Sequence, residues 1–254
     1  METVVSVITP AFNAAGRLRD CVASIRSQSF GNWEHVVVDD GSTDATWALA
    51  QELKSQDARL LTIHQAKAGP GAARNAAMKA ACGRYFAFLD ADDLATPHRL
   101  ATQVAFLDEH PGVHVLGGAI VKVAETGQHL GTESLPAEHG DLERQIFRIC
   151  PFFTSTVMAR RVFFEKTGGF AEDLPRAQDY DWWLRGCRRF RYHNLSIPLA
   201  FYTRTERLKW RDVRYSTRVI FRALRREGIL ARDLWYVLRP SVSYGAYCLG
   251  YKRR

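Results

Sequence analysis

The chain has 254 residues, 46% of them hydrophobic and 24% charged, enough for one large domain or two small ones with a buried core. Ordinary Gly and Pro usage excludes collagen-like and disordered classes, and no apolar run approaches the roughly 20 residues of a membrane-spanning helix. The net charge of +8 is a property of the C-terminal fifth: residues 204–254 carry fourteen Lys/Arg against four Asp/Glu, whereas residues 1–203 are slightly acidic.

Val4-Val5-Ser6-Val7-Ile8-Thr9 is a β-branched run stopped by Pro10. Apolar positions Leu18, Cys21, Val22 and Ile25 then have helical spacing. His35-Val36-Val37-Val38 reads as a buried strand ending at Asp39-Asp40-Gly41-Ser42, followed by a helix over residues 43–53 and a strand at residues 60–64. A Gly69-Pro70-Gly71 turn opens an alanine-rich helix through Ala81. Tyr85-Phe86-Ala87-Phe88-Leu89 is the fourth strand, running into Asp90-Ala91-Asp92-Asp93, and Thr96-Pro97 marks a helix start as N-cap and first residue. This alternation predicts an α/β fold with a mostly parallel sheet flanked by helices.

Beyond Leu100 the pattern loosens: a strand at residues 113–117, a hairpin at 120–131, a polar loop at 136–140, and helices at 142–149 and 161–167. The dense Asp179-Tyr180-Asp181-Trp182-Trp183-Leu184-Arg185 follows. Phe152, Phe153, Phe163, Phe164 and Phe170 read as core, and Cys82 and Cys187 as packing residues. Five scattered cysteines write neither a disulfide framework nor a zinc ribbon, and with an N-terminus unlike a signal peptide they predict a cytoplasmic setting.

In a parallel sheet ligands collect at the carboxyl edge. Asn13, Asp39, Asp40, Asp44, Arg74, Asn75, Asp90, Asp92 and Asp93 all fall there, which predicts one cleft. Asp90-x-Asp92 puts two carboxylates on one turn, suited to a hard divalent cation, Mg²⁺ or Mn²⁺, bridging protein to nucleotide phosphates. The competing structural account is that these acids cap a helix or turn.

Taken in order, Val5–Asn13, Val36–Asp44, Gly69–Asn75, Phe88–Asp93 and Gln178–Arg185 resemble the motifs of family 2 glycosyltransferases, inverting enzymes of the GT-A fold. The resemblance runs from about Val4 to Arg185 and implies a Rossmann-like GT-A domain over residues 1–203, with a nucleotide-binding half (1–95) and an acceptor-binding half (96–203). It implies that Asp40, with Asp39 beside it, reads the base, that Thr9, Pro10, Phe12 and Asn13 lie against it, and that Arg74 approaches base or diphosphate. Asp92 and Asp90 match the metal-binding DxD pair, Asp90 also lying near the ribose or sugar, with Asp93 joining the donor site. Asp179 matches the general base, although Gln178 stands where Glu is frequent and Phe12 where Tyr is frequent. Trp182 and Trp183 offer a sugar-stacking wall for the acceptor, of which adjacent helix positions allow one to face it. Arg204 and His193 have no secure place in the motif.

The implied reaction is inverting transfer from a nucleotide-sugar, UDP-sugar first, to a hydroxyl of a glycan or lipid-linked glycan. The alternative is a non-catalytic nucleotide-sugar or carbohydrate-binding protein; a dehalogenase-type phosphatase and a dinucleotide oxidoreductase fail on motif position. Residues 204–254 predict a basic amphipathic helical extension, with Val213, Thr217, Ile220, Phe221 and Leu224 on one side and arginines opposite. Such an extension either packs its apolar side on the domain or meets an anionic membrane at the cytoplasmic face, and no nucleic-acid module accompanies it.

Overall fold

The computed structural model describes residues 3–203 and 210–227. Gly228, the apolar run Leu234–Leu238, the tyrosines beyond it, the closing Lys252-Arg253-Arg254 and Arg204 lie outside the described residues.

Four strands follow the predicted alternation: β1 (Val5–Ala11), β2 (Trp33–Asp39), β3 (Leu60–His64) and β4 (Tyr85–Phe88), all parallel, in the spatial order β3-β2-β1-β4. The chain steps outward from β1 to β3 and then crosses to the other side of β1. The strand order therefore reverses between β1 and β4, where an open α/β sheet leaves a crevice. Beyond β4 the sheet is mixed rather than parallel. The three-residue β8 (Met158–Arg160) runs antiparallel to both β4 and β6 (Val113–Val123), and β9 (Arg191–Thr203) runs parallel to β6. The short β5 (Leu94–Ala95) and β7 (His129–Glu133) pair antiparallel with β9 and β6.

Helices α1 (Leu18–Arg26), α2 (Thr46–Gln56) and α3 (Pro70–Ala80) connect the parallel strands. In α1 the buried residues are the four predicted ones, Leu18, Cys21, Val22 and Ile25. Gly69 adopts φ 97°, a conformation only glycine takes without penalty, and turns the chain into α3 with Pro70 in its first turn. Small Ala73 and Ala77 let that helix lie close on the sheet. Gly83 is placed by a different constraint: a Cβ there would lie 2.5 Å from the Ser6 backbone nitrogen. Gly83→Ala is expected to cost about 1–3 kcal/mol in urea unfolding, because backbone must shift to admit the methyl group.

Three boundaries differ from expectation for identifiable reasons. Helix α2 starts at Thr46 rather than 43, since the Thr43 N–H donates to Asn13 Oδ1 and the Asp44 carboxylate accepts the Thr46 N–H at 2.9 Å. Thr96-Pro97 does not open the next helix. The Thr96 N–H donates to Leu199 O and its hydroxyl to Pro198 O, so it is held by β9, and α4 (Arg99–Glu109) begins two residues later. Helix α5 (His139–Gln145) starts inside the predicted polar loop. The 161–167 expectation is met by α6 (Arg161–Thr167), and the aromatic-acidic segment forms α7 (Gln178–Gly186).

One face of the sheet carries an aromatic core of Phe86, Phe88, Phe152, Phe163, Phe170, Trp182, Trp183 and Tyr192; the other packs Val5, Val7, Leu100 and Leu107. Cys187 is buried as expected, but Cys82 is exposed, which corrects its reading as a packing residue. Helix α8 (Trp210–Glu227) lays Val219, Ile220, Ala223 and Leu224 on the aromatic core, so the apolar side of the basic segment is used within the domain.

Candidate active site

A cleft of about 1270 Å³ opens at the carboxyl edge, over the point where strand order reverses. Pro10, Phe12 and Asn13 reach it from the end of β1, Asp40 from β2, Arg74 from α3, Asp90 and Asp92 from the turn after β4, and Asp179 from α7. Eight of the residues singled out by sequence are thus brought together. Thr9, Asp39, Asp93, Trp182 and Trp183 are not.

The acidic pair after β2 splits because side chains alternate along a strand. Asp40 turns to the cleft, where Oδ1 accepts from Gln65 and the Ala68 N–H and Oδ2 accepts the Gly69 N–H at 2.8 Å. Asp39 is fully buried, with Oδ2 2.7 Å from His64 Nδ1 and Oδ1 without a partner among the described residues. Thr9 is also buried, its hydroxyl 2.8 Å from His35 Nε2. Burial pushes the His35 imidazole down to about 3, so that ring is a neutral structural partner. Asn13 takes a left-handed φ of 49° and ties the β1 and β2 loops together, its backbone N–H donating to Ser42 Oγ and its Oδ1 accepting from Thr43. Phe12 is 42% exposed, and the Lys67 ammonium sits over its ring.

Arg74 is nearly buried and donates from Nη2 to Asp90 Oδ1 at 2.5 Å. Its Nε and Nη1 have no partner among the described residues, although a buried guanidinium strongly prefers full hydrogen bonding. These are spare donors at the cleft wall, suited to an anion.

The turn after β4 is held from outside the cleft. The Asp90 N–H donates to Ser155 Oγ, the Ser155 hydroxyl donates to Asp93 Oδ2, the Thr203 N–H donates to Asp93 Oδ1, and the Thr203 hydroxyl donates to the Asp92 carbonyl at 2.7 Å. Asp93 is therefore a buried brace and not a donor-contacting residue. Burial, then the charges of Asp90 and Asp92, push its carboxyl well above the usual range. Burial and the neighbouring Asp90 raise Asp92 as well.

Among the described residues no three His, Cys, Asp or Glu side chains converge as a metal cage. The residues present still fit a divalent cation. Mg²⁺ and Mn²⁺ commonly use one or two carboxylates and complete their shell with phosphate oxygens and water. Asp92 and Asp90 supply hard oxygen donors side by side, and a cation between them would offset their mutual repulsion.

Asp179 stands at the start of α7, entered through Ala177 in the left-handed region at φ 58°. Its Oδ2 accepts from the Thr154 hydroxyl and its Oδ1 from the Tyr180 N–H, each at 2.7 Å. These bonds and the helix N-terminus hold an oriented carboxylate at the cleft wall. The tryptophans one turn further along α7 are buried and do not line the cleft. Both are 0% exposed, stacked at 5.0 Å between centroids, with Phe88 and Phe163 against them, and the Trp182 indole N–H donates to Thr167. Neither forms an acceptor wall, because burying both rings inside the sheet–helix layer leaves no face to solvent. His193 stacks on Phe106 at 4.9 Å and does not line the cleft.

Sequence reasoning missed Arg17, Lys67, Arg176 and Tyr202, which also line the cleft. Tyr202 is 38% exposed, and partial burial, then the nearby carboxylates, hold its phenol above the usual range. Isolated Lys, Arg and Tyr residues carry no motif signal, and Tyr202 arrives from a strand distant in sequence.

The described family model, Glycosyl transferase family 2, matches residues 6–169. The chain belongs to glycosyl transferase family 2. Relatives include a Bacillus subtilis (strain 168) protein named "Putative glycosyltransferase EpsE", 31% identical over 249 residues, covering 94% of this chain and 88% of its own length. A Rickettsia felis glycosyltransferase is 32% identical over 185 residues, 72% of this chain, but the match spans only 30% of that protein. Among solved structures, Staphylococcus aureus TarS 1–349 in complex with UDP aligns with TM-score 0.71 at 25% identity, over 96% of this chain and 74% of that one. A Pyrobaculum calidifontis mannosyltransferase in complex with GDP-Man and Mn²⁺ shares the fold at TM-score 0.67 and 20% identity, over 95% of this chain and 69% of that one. The architecture is that of the GT-A-type glycosyltransferases, and the family 2 domain marks the chain as a transferase enzyme.

Proposed function

We propose that this family 2 enzyme transfers a sugar, with inversion, from a nucleotide-sugar, UDP-sugar first, to a hydroxyl of a glycan acceptor. The observation that carries the reading is the meeting, in one cleft, of Arg74 with its spare buried donors, the Asp90/Asp92 pair and the oriented carboxylate of Asp179. Phe12 offers an exposed ring for a base and Asp40 a polar edge beside it, and UDP bound to the related TarS supports that donor class. Residues 1–95 then furnish the donor side and residues 96–203 most of the acceptor side.

Asp179 takes the acceptor hydroxyl proton as that oxygen bonds to the anomeric carbon. The bond from that carbon to the diphosphate oxygen breaks, its electron pair leaving with the nucleotide. Arg74 donates to the departing diphosphate, where negative charge develops. Asp92 and Asp90 are the residues that would hold Mg²⁺ or Mn²⁺, and the cation bound there supplies further charge neutralisation at the diphosphate.

The test is calorimetric titration of UDP, dTDP and GDP with and without Mn²⁺, on wild type and Asp92→Ala. One nucleotide is expected to bind in a Mn²⁺-dependent way, weakened by about tenfold, or ~1.4 kcal/mol, in the variant. Folded protein that binds none of the three would overturn the reading.

A further inference from the structure

Helix α8 was expected to divide into an apolar side containing Phe221 and an arginine side. The structure divides it differently. Val213, Val219, Ile220, Ala223 and Leu224 are buried, whereas Trp210, Arg214, Arg218, Phe221 and Arg225 are exposed. At about 3.6 residues per turn, those five exposed positions, spaced by four, four, three and four residues, fall on one outward stripe. Trp210 is 47% exposed and Phe221 45%. Two large aromatics thus stand in solvent on the same line as three arginines, on a helix whose hydrophobic requirement is already met on its inner side.

We infer that this stripe is a docking surface for an anionic lipid bilayer. Arginines alternating with exposed Trp and Phe match a headgroup layer that offers phosphate charge outside and apolar depth just beneath. A polyanion without an apolar layer, such as RNA, leaves Phe221 without a matching environment. The acidic groups nearest the stripe do not cancel it: Asp173 binds Arg222 at 2.6 Å and touches Arg218 at 3.5 Å, while Arg218 stays 56% exposed. Asp212 and Glu227 are the acids of the helix itself, against six arginines. No described helix is long and apolar enough to cross a membrane, so the helix lies on the surface. The remaining chain, residues 228–254, adds five Lys/Arg, three of them the closing Lys252-Arg253-Arg254, with Trp235, Tyr236, Tyr244, Tyr247 and Tyr251, the same chemistry in sequence.

The position of α8 gives docking a consequence, which rests on the proposed transferase reading. Ser216 on the same helix lines the cleft. The bilayer would lie about one helix diameter, ~10 Å, from the cleft wall. An acceptor carried by a lipid then reaches Asp179 without leaving the membrane.

Flotation of the full chain with phosphatidylcholine vesicles, with and without phosphatidylglycerol, tests the inference, with UDP titration run on the same preparations. Binding is expected only with phosphatidylglycerol and should weaken as salt rises. Arg214→Gln with Arg225→Gln should weaken it by about 25-fold, each surface arginine contributing about fivefold. Phe221→Ser should weaken it with no charge removed, and UDP affinity should hold in every variant. The inference is overturned if wild type ignores phosphatidylglycerol vesicles, if it binds RNA and not vesicles, or if the substituted chains float as wild type does. Vesicle binding without UDP binding would sustain the docking surface and remove the transferase reading alone.

Discussion

Asp179→Asn is expected to bind the nucleotide donor with wild-type affinity while turnover falls by about 10²–10⁴-fold, the usual contribution of a positioned general base. The substitution is nearly isosteric. The Asn carbonyl oxygen can still accept the Tyr180 N–H, and the Thr154 hydroxyl can rotate to accept from the new amide. Only the ability to take a proton is lost. Calorimetry with the donor nucleotide and UDP release from the nucleotide-sugar separate the two effects. A variant that turns over normally would remove Asp179 as the base. Loss of donor binding in step with turnover would place this carboxylate on the donor side instead. Since the family domain alone establishes a transferase and not its stereochemistry, this variant bears directly on the inverting mechanism.

Trp182→Ala is expected to cost about 3–5 kcal/mol in urea unfolding, with donor affinity of the folded protein unchanged. The indole is completely buried, contacts Phe88, Phe163, Phe170 and Trp183, and donates to Thr167 Oγ1. Truncation leaves a cavity bounded by rings that belong to different elements and cannot close together, and it removes one of the Thr167 hydroxyl's hydrogen bonds. A sugar-stacking tryptophan would behave in the opposite way, with little effect on stability and a marked loss of acceptor binding. A stability change under 1 kcal/mol would overturn the buried assignment. Helix α7 consequently serves two purposes along its length: its first turn presents Asp179 to the cleft and its next turn anchors the helix in the core. That coupling explains how a single carboxylate is held still at the end of a short helix.

Much of the cleft was legible because strand ends are legible. Apolar runs ending at Pro10-Ala11, Asp39-Asp40-Gly41 and Asp90-Ala91-Asp92 mark where parallel strands finish, and parallel strands finish on one edge. Boundaries failed where a distant strand competed for the same backbone groups. Thr96 looks like a helix cap, yet Leu199 and Pro198 occupy its N–H and hydroxyl. Only the folded sheet brings residues a hundred positions apart into that competition.

What the sequence by itself determined was the alternation of strands and helices, the carboxyl edge, and most of the acids and the arginine collected there. Their local pattern follows from propensity, periodicity and turn chemistry, which act over a few residues. Only the tertiary structure decided which of these residues line the cleft: Asp40 and not Asp39, Asp92 and not Asp93, and Asp179 but neither tryptophan of the following turn. It also brought Tyr202 and Ser216 to the cleft wall and turned Phe221 outward. Neighbours in a strand point to opposite faces and neighbours in a helix diverge by about 100°, and which direction becomes interior depends on the layer packed against it. That layer comes from segments too distant for any local pattern to reveal.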